Sequence, residues 1–294
     1  MILERSFKLT APTTIKYFME KHGFRFSKSL GQNFLISEAT VDNIISGAGV
    51  TSEDVILEIG PGIGVMTRSM AQVANRVVAI EIDRSLEPVL KDTLSDLDNV
   101  TVIFQDILKV DLEKLFEEHF EGRKPKVIAN LPYYITTPII MNFLENEVPV
   151  SDIVVMVQKE VAERIAAKPG TKEYGVLSLA VQYYCETRVL TKVPRGCFMP
   201  PPNVDSAVIE LHIKEVQDVQ AEDRALFFKT VRGAFSKRRK TIINAMVGEV
   251  PLGKEGLLSA MAEVGIDPIR RGETLNIHEF AALSNAIGRH IKNQ

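Results

Sequence analysis

Short apolar runs recur along the first half of the chain at a nearly constant interval: 55–60 (VILEIG), 77–82 (VVAIEI), 100–105 (VTVIFQ), 126–131 (KVIANL) and 152–157 (DIVVMV). Successive starts lie 22, 23, 26 and 26 residues apart. That interval accommodates a strand, a crossover helix and a return to a parallel strand, and the β-branched content suits strands buried on both faces. The pattern predicts an α/β fold with a doubly wound, mostly parallel sheet. Right-handed crossovers bring the C-terminal ends of all five strands to one edge, where such sheets bind ligands. Gly60, Glu81, Asp106 and Asn130 stand at or just beyond those ends. In a doubly wound order the fourth strand neighbours the first, so Asn130 and Gly60 are expected in one crevice.

Helical spacing follows over 160–168, with a turn at Pro169-Gly170, and again over about 176–184. Two later runs, 187–193 and 206–213, flank Phe198-Met199-Pro200-Pro201-Pro202 and predict an antiparallel pair closing the sheet. Beyond residue 215 only helical spacing remains, through Leu226, Phe227, Val231, Phe235, Ile242 and Met246 and then over 254–265 and 277–290. The expected organisation is a leading segment, 1–36, a ligand-binding domain, 37–215, and a small helical domain, 216–294.

Composition changes this picture little. At 294 residues with 45% hydrophobic content, the chain can fill one large core and a smaller one. It has neither a bilayer-length apolar run nor the apolar segment of a secretory signal, so a cytoplasmic protein is expected. Cys185 and Cys197 lack a CxxC spacing, and the five histidines form no ligand spacing, so no metal is expected. Charge is more telling. The net charge is −3, yet residues 1–36 carry six Lys and Arg against two Asp and Glu, 37–215 carry 17 against 27, and 216–294 carry 12 against nine. Basic ends around an acidic middle suit a surface that meets a phosphate backbone.

The chemistry concentrates at the strand ends. EIGPGIG (58–64) joins the first strand to a helix, and its glycines admit a close ligand. A dinucleotide fingerprint beginning at Gly60 and Gly62 would need a third glycine where Val65 stands, and no phosphate-binding lysine follows. The loop therefore suits a ligand without a pyrophosphate, which disfavours a dehydrogenase. Glu81 stands 21 residues after Gly60, where a carboxylate takes both ribose hydroxyls, and Asp106 could accept from an adenine amine. Asn130-Leu131-Pro132-Tyr133 places a carboxamide, a rigid backbone and an aromatic ring together. The amide oxygen and the Leu131 carbonyl can accept both hydrogens of an exocyclic amine while Tyr133 stacks on the ring. An adenosine pocket without phosphates, beside a grip for an amino-bearing base, points to S-adenosylmethionine and methyl transfer to nitrogen.

These motifs resemble those of the ribosomal RNA adenine dimethyltransferases: EIGPGIG, EID at 81–83, QD at 105–106, NLPY at 130–133, SLGQNFL at 29–35, VDSAV at 204–208 and FSKRRKT at 235–241. The likeness extends from about Lys28 to Asn285. It implies a Rossmann-like class I methyltransferase domain followed by a helical domain. It carries cofactor contacts onto Asn33, Leu35, Gly60, Glu81, Asp106 and Asn130, of which Asn33 and Leu35 have no signal of their own. Gly62 joins them from the glycine-loop reading. The implied substrate is a pair of adjacent adenosines near the 3′ end of 16S rRNA, within the small ribosomal subunit or its late precursor, methylated by a monomer.

In this reading Asn130 and Leu131 hold the amine, Pro132 fixes the turn, Tyr133 stacks on the base and Phe198 supplies the opposite wall. The RNA-binding candidates are Lys28, Arg232 and the run Lys237-Arg238-Arg239-Lys240, which is expected on a helix. Two alternatives accompany it. Relatives that act on large-subunit RNA and confer antibiotic resistance usually carry NIPY where this chain has NLPY. A ribosome assembly factor with methylation secondary would share the motifs.

Overall fold

Val55–Ile59 is buried at all five positions, as a strand covered on both faces must be. The computed structural model describes residues 8–27 and 29–293. Its strands are β1 (Phe34–Leu35), β2 (Val55–Ile59), β3 (Arg76–Glu81), β4 (Val100–Phe104), β5 (Lys126–Asn130), β6 (Asp152–Gln158), β7 (Cys185–Val193), β8 (Phe198–Met199) and β9 (Ser206–Ile213). Seven of them form one sheet in the order β4-β3-β2-β5-β6-β9-β7. The chain builds outward from β2 through β3 to β4, then returns to place β5 on the other side of β2. All pairings from β4 to β6 are parallel. The partly exposed β4 is one edge strand and β7 the other. β9 runs antiparallel to β6, from Asp152 opposite His212 to Gln158 opposite Ser206, and lies between β6 and β7.

The register puts Ile59 opposite Ala129, so Gly60 and Asn130 are the next residues along adjacent strands. Neighbouring strands stand about 4.8 Å apart. The reversal point expected from the run spacing is therefore the place where these two residues meet.

The chain forms two compact units. One comprises the described residues up to Ala162 together with Arg188–Ile213, and the other comprises Glu163–Thr187 and Lys214 onward. The sequence pattern divides the chain once, near residue 216; the contacts divide it near 162, 187 and 213. The reason is aromatic. Helix Val176–Tyr184 buries Tyr183 and Tyr184, whose rings meet those of Phe227 and Phe228, with Tyr183 and Phe227 centroids 5.0 Å apart. In sequence this helix stands between strands and has the composition of a sheet-covering crossover.

Within the second unit, helix Arg224–Phe235 buries Phe227, Phe228, Val231 and Ala234. Helix Ile277–Lys292 opens with a reciprocal cap in which Asn276 and Glu279 each bond the other's backbone N–H. The expectation that Lys237–Lys240 lies on a helix is corrected: the helix ends at Phe235, and 237–240 form a turn. The Ser236 hydroxyl donates to the carbonyls of Gly233 and Ala245, drawing the chain out of helical register, and Lys240 N–H bonds Lys237 O at 2.9 Å. On a helix Lys237 and Lys240 would also face each other at i,i+3 and repel. No helix among the described residues is long and apolar enough to cross a membrane.

Two short strands were not visible in the pattern. β1 and β8 pair antiparallel, Phe34 opposite Met199 and Leu35 opposite Phe198. Two residues carry no periodicity, yet this pairing fixes Asn33-Phe34-Leu35 beside the sheet edge.

Candidate active site

The loop after β2 turns through three left-handed glycines, Gly60 (φ +72°), Gly62 (φ +60°) and Gly64 (φ +87°). A Cβ on Gly62 would stand 3.1 Å from the Phe34 ring. At Gly60 nothing lies within 4 Å of where a Cβ would stand, so bare backbone faces the cavity. That cavity, of about 1040 Å³ including its mouth, is walled by the 30–35 segment, the glycine loop, the ends of β3 and β4, and the turn after β5.

Three carboxylates border it: Glu58, Glu81 and Asp106. Among the described residues its wall contains no Lys, Arg or His. Glu81, 4% exposed, accepts from Gly62 N–H at 3.2 Å through Oε2 and from Asp83 N–H at 2.8 Å through Oε1. Burial pushes its pKa up to about 7 against those two hydrogen bonds, which favour the charged form. Glu58 is 1% exposed, and its Oε2 has no hydrogen-bond partner among the described residues. Burial, helped by the nearby Glu81 charge, pushes its pKa up to about 8. Asp106 caps the turn beyond β4 by accepting from Leu108 N–H at 3.1 Å through Oδ1. Buried acids along the wall, readily ionised beside a positive charge, suit a cationic ligand better than a pyrophosphate.

Asn130, at the end of β5, donates from Nδ2 to the Asn33 carbonyl at 3.0 Å. That bond fixes the carboxamide, and its Oδ1 remains available as an acceptor beside the cavity. Asn33 in turn donates from its own Nδ2 to Gly31 O at 2.9 Å. Past Asn130, the Pro132 carbonyl accepts from Ile135 N–H and from the Thr136 hydroxyl, locking the turn at the start of helix Thr136–Glu145. The Tyr133 hydroxyl bonds Ser206 Oγ of β9 at 2.7 Å, which holds the ring, and burial raises the phenol's pKa.

The structure gathers Asn33, Leu35, Gly60, Gly62, Glu81, Asp106, Asn130, Leu131, Pro132 and Tyr133 around one cavity. Phe198 is not among the residues lining the cavity; it is 2% exposed and pairs across β1 and β8 with Leu35, which does line it. The aromatic ring at the cavity mouth is Tyr134, 58% exposed, close against Gly31. Among the phosphate-binding candidates, Lys28 lies outside the described residues. Arg232, Lys237, Arg238, Arg239 and Lys240 are exposed on the helical unit. The Arg238 guanidinium donates to the Lys172 carbonyl, and Lys237 stands 4.0 Å from Glu249.

Sequence reasoning passed over Glu58, Gln32 and Tyr134. Glu58 has a signal, a carboxylate inside an apolar strand with no cation nearby in sequence. Gln32 and Tyr134 have none, because their roles arise from contacts across the fold.

The sequence pattern of the family described as ribosomal RNA adenine dimethylase matches residues 23–287. The chain is 53% identical over 287 residues to the ribosomal RNA small subunit methyltransferase A of Clostridioides difficile (strain 630), covering 98% of this chain and 99% of that protein. It is 51% identical to the protein of the same name from Alkaliphilus oremlandii (strain OhILAs), covering 97% and 99%. Among solved structures, a dimethyladenosine transferase from Plasmodium falciparum superposes with a TM-score of 0.74 at 27% identity, over 87% of this chain and 98% of that one. The 23S rRNA methyltransferase ErmE shares the fold, with a TM-score of 0.68 at 22% identity over 87% of this chain and 100% of that one.

Proposed function

The chain belongs to the ribosomal RNA adenine dimethylase family, and we propose that its substrate is a pair of adjacent adenosines near the 3′ end of small-subunit rRNA, modified late in subunit assembly. Its activity is S-adenosylmethionine-dependent N6,N6-dimethylation of adenine in rRNA. Support for the small subunit comes from the relatives at about half identity over nearly the full chain, which are named for it.

The cavity fits this cofactor on its own chemistry. Three acidic side chains along its wall suit a ligand bearing positive charge, and open backbone at Gly60 suits close approach. Gly60 and Gly62 would cradle it, Glu81 would take its ribose hydroxyls, Asp106 its adenine amine, and Asn33 and Leu35 would close over it. When bound, S-adenosylmethionine supplies an electrophilic methyl group.

One observation carries the catalytic reading: Asn130 spends its amide nitrogen on the Asn33 carbonyl, which leaves Oδ1 to accept from a substrate. The lone pair of adenine's exocyclic nitrogen is delocalised into the ring and is a poor nucleophile. Accepting its N–H bonds at Asn130 Oδ1 and the Leu131 carbonyl draws the nitrogen toward tetrahedral geometry. Pro132 fixes the turn, and Tyr133, anchored by Ser206, offers a stacking face for a flipped base. Methylation makes the nitrogen strongly acidic, so its proton leaves to solvent and no strong general base is needed.

The test is transfer of labelled methyl groups to small and large subunits purified from a strain lacking the modification. Label in the small subunit alone is expected. Label in the large subunit alone would overturn the substrate assignment.

A further inference from the structure

Gln32 has no role in the chemistry above, yet both ends of its carboxamide are committed. Nε2 donates to Asp83 Oδ2 at 2.7 Å, and Oε1 accepts from Ser27 N–H at 2.8 Å. Asp83 is itself fixed: Oδ1 accepts from the backbone and hydroxyl of Ser85, and its N–H bonds Glu81 Oε1. Glu81 continues the chain to Gly62 N–H. A continuous set of hydrogen bonds therefore runs from the segment before β1, through Glu81, to the glycine loop.

The other end of that segment holds Asn130. The Asn33 carbonyl receives the Asn130 amide, and Gly31, at φ +61°, brings the segment against Pro132 and Tyr134, with 3.4 Å between a would-be Cβ and each. Residues 31–33 thus span from Asp83, beside the candidate ribose carboxylate, to the residue that grips the base. A carboxamide is needed at position 32, because the site asks one side chain to donate to a carboxylate and accept from an N–H.

We propose that Gln32 is a positioning residue for methyl transfer, clasping the 31–33 segment to Asp83 so that the Asn33 carbonyl holds Asn130 with its oxygen toward the substrate amine. Released from that carbonyl, the Asn130 amide can turn and present a donor where an acceptor is required. The clasp deepens the catalytic reading of Asn130 and rests on it.

A swap of donor and acceptor tests it. Gln32→Glu sets two carboxylates against each other, while Gln32→Glu with Asp83→Asn restores the hydrogen bond with its direction reversed and keeps both the Ser27 and Ser85 contacts. With saturating cofactor and unmethylated small subunits, kcat of Gln32→Glu is expected to fall about 10²-fold, as for a misplacement of about 1 Å in a reacting geometry. The double variant is expected to recover to within about fivefold of wild type. Dissociation of S-adenosylhomocysteine, followed by stopped flow without RNA, is expected to be about tenfold faster in Gln32→Glu and restored in the double variant, since the lost hydrogen bond is one to a charged group. Should Gln32→Glu fail to fold, Gln32→Met removes the clasp at similar volume and is expected to show the same loss of kcat. Unchanged kcat in Gln32→Glu or Gln32→Met, or a double variant no better than Gln32→Glu, would overturn the clasp. The wild type in the same assay separates this from failure of the small-subunit assignment, because it would then leave the subunits unlabelled.

Discussion

Asn130 is held from one side and open on the other, so its substitution separates chemistry from folding. Asn130→Ala is expected to lower methyl transfer by at least about 10³-fold, with a Tm within a few degrees of wild type. Near-normal turnover would remove the residue from the mechanism. Glu58 and Glu81 make a different prediction, about pH. Both carboxyls have folded pKa values above the ordinary carboxylate value of 4.5, about 8 and about 7, because of burial. Between those limits the folded state binds more protons than the unfolded one, so stability without cofactor falls as pH rises through the window. Glu58→Gln is expected to raise Tm by several degrees at about pH 8.5 and to change it little at about pH 5, measured by calorimetry. An equal shift at both pH values would mean that Glu58 does not carry the titration. At this scale the sequence was legible where a residue's neighbours along the chain define its setting, as for Asn130 and Glu81. It was silent for Gln32, whose partner stands 51 residues away, and for the burial of Phe198, which comes from the β1–β8 pairing.

Elements set by long apolar runs were legible because burial on both faces demands such runs. Their spacing also gave the order of β2 and β5, and with it the meeting of Gly60 and Asn130. Elements defined by pairing alone were not. β1 and β8 are two residues each and exist because each completes the other. Their consequence reaches the glycine loop, since β1 sets the Phe34 ring 3.1 Å from where a Cβ on Gly62 would stand. Gly62→Ala therefore meets both a left-handed φ and a ring that must give way. It is expected to cost about 1–3 kcal/mol, a fall in Tm of roughly 2–10 °C. It should also weaken S-adenosylhomocysteine binding, measured by titration calorimetry. Wild-type stability and affinity in this variant would contradict the tight Phe34 contact. The basic run shows the reverse case. Its composition fits a helix, but Ser236 ends the helix one residue earlier. All four cations of the turn are exposed, and Arg238 among them also donates to the Lys172 carbonyl.

For the whole molecule, net charge of −3 conceals an uneven distribution, and the helical unit carries exposed Arg232, Arg239 and Lys240. Arg239→Glu with Lys240→Glu is expected to weaken binding to small subunits and to reduce the slope of log affinity against log salt by about 2. An unchanged slope would place the phosphate contacts elsewhere. The interleaving of the two units was hidden in the sequence, because helix Val176–Tyr184 belongs with Phe227 and Phe228 although strands flank it along the chain. In the proposed function the crevice at the ends of β2 and β5 would serve the chemistry, and the exposed basic residues would serve affinity for RNA. The central claim is that this crevice presents the exocyclic amine of adenine for methylation. Its most direct test is mass spectrometry of nucleosides from small-subunit rRNA methylated in vitro by the wild type and by Asn130→Ala. The expected product is N6,N6-dimethyladenosine at two adjacent positions with the wild type and none with the variant. Methyl groups on a ring nitrogen or on another base, or product formed equally by the variant, would contradict it.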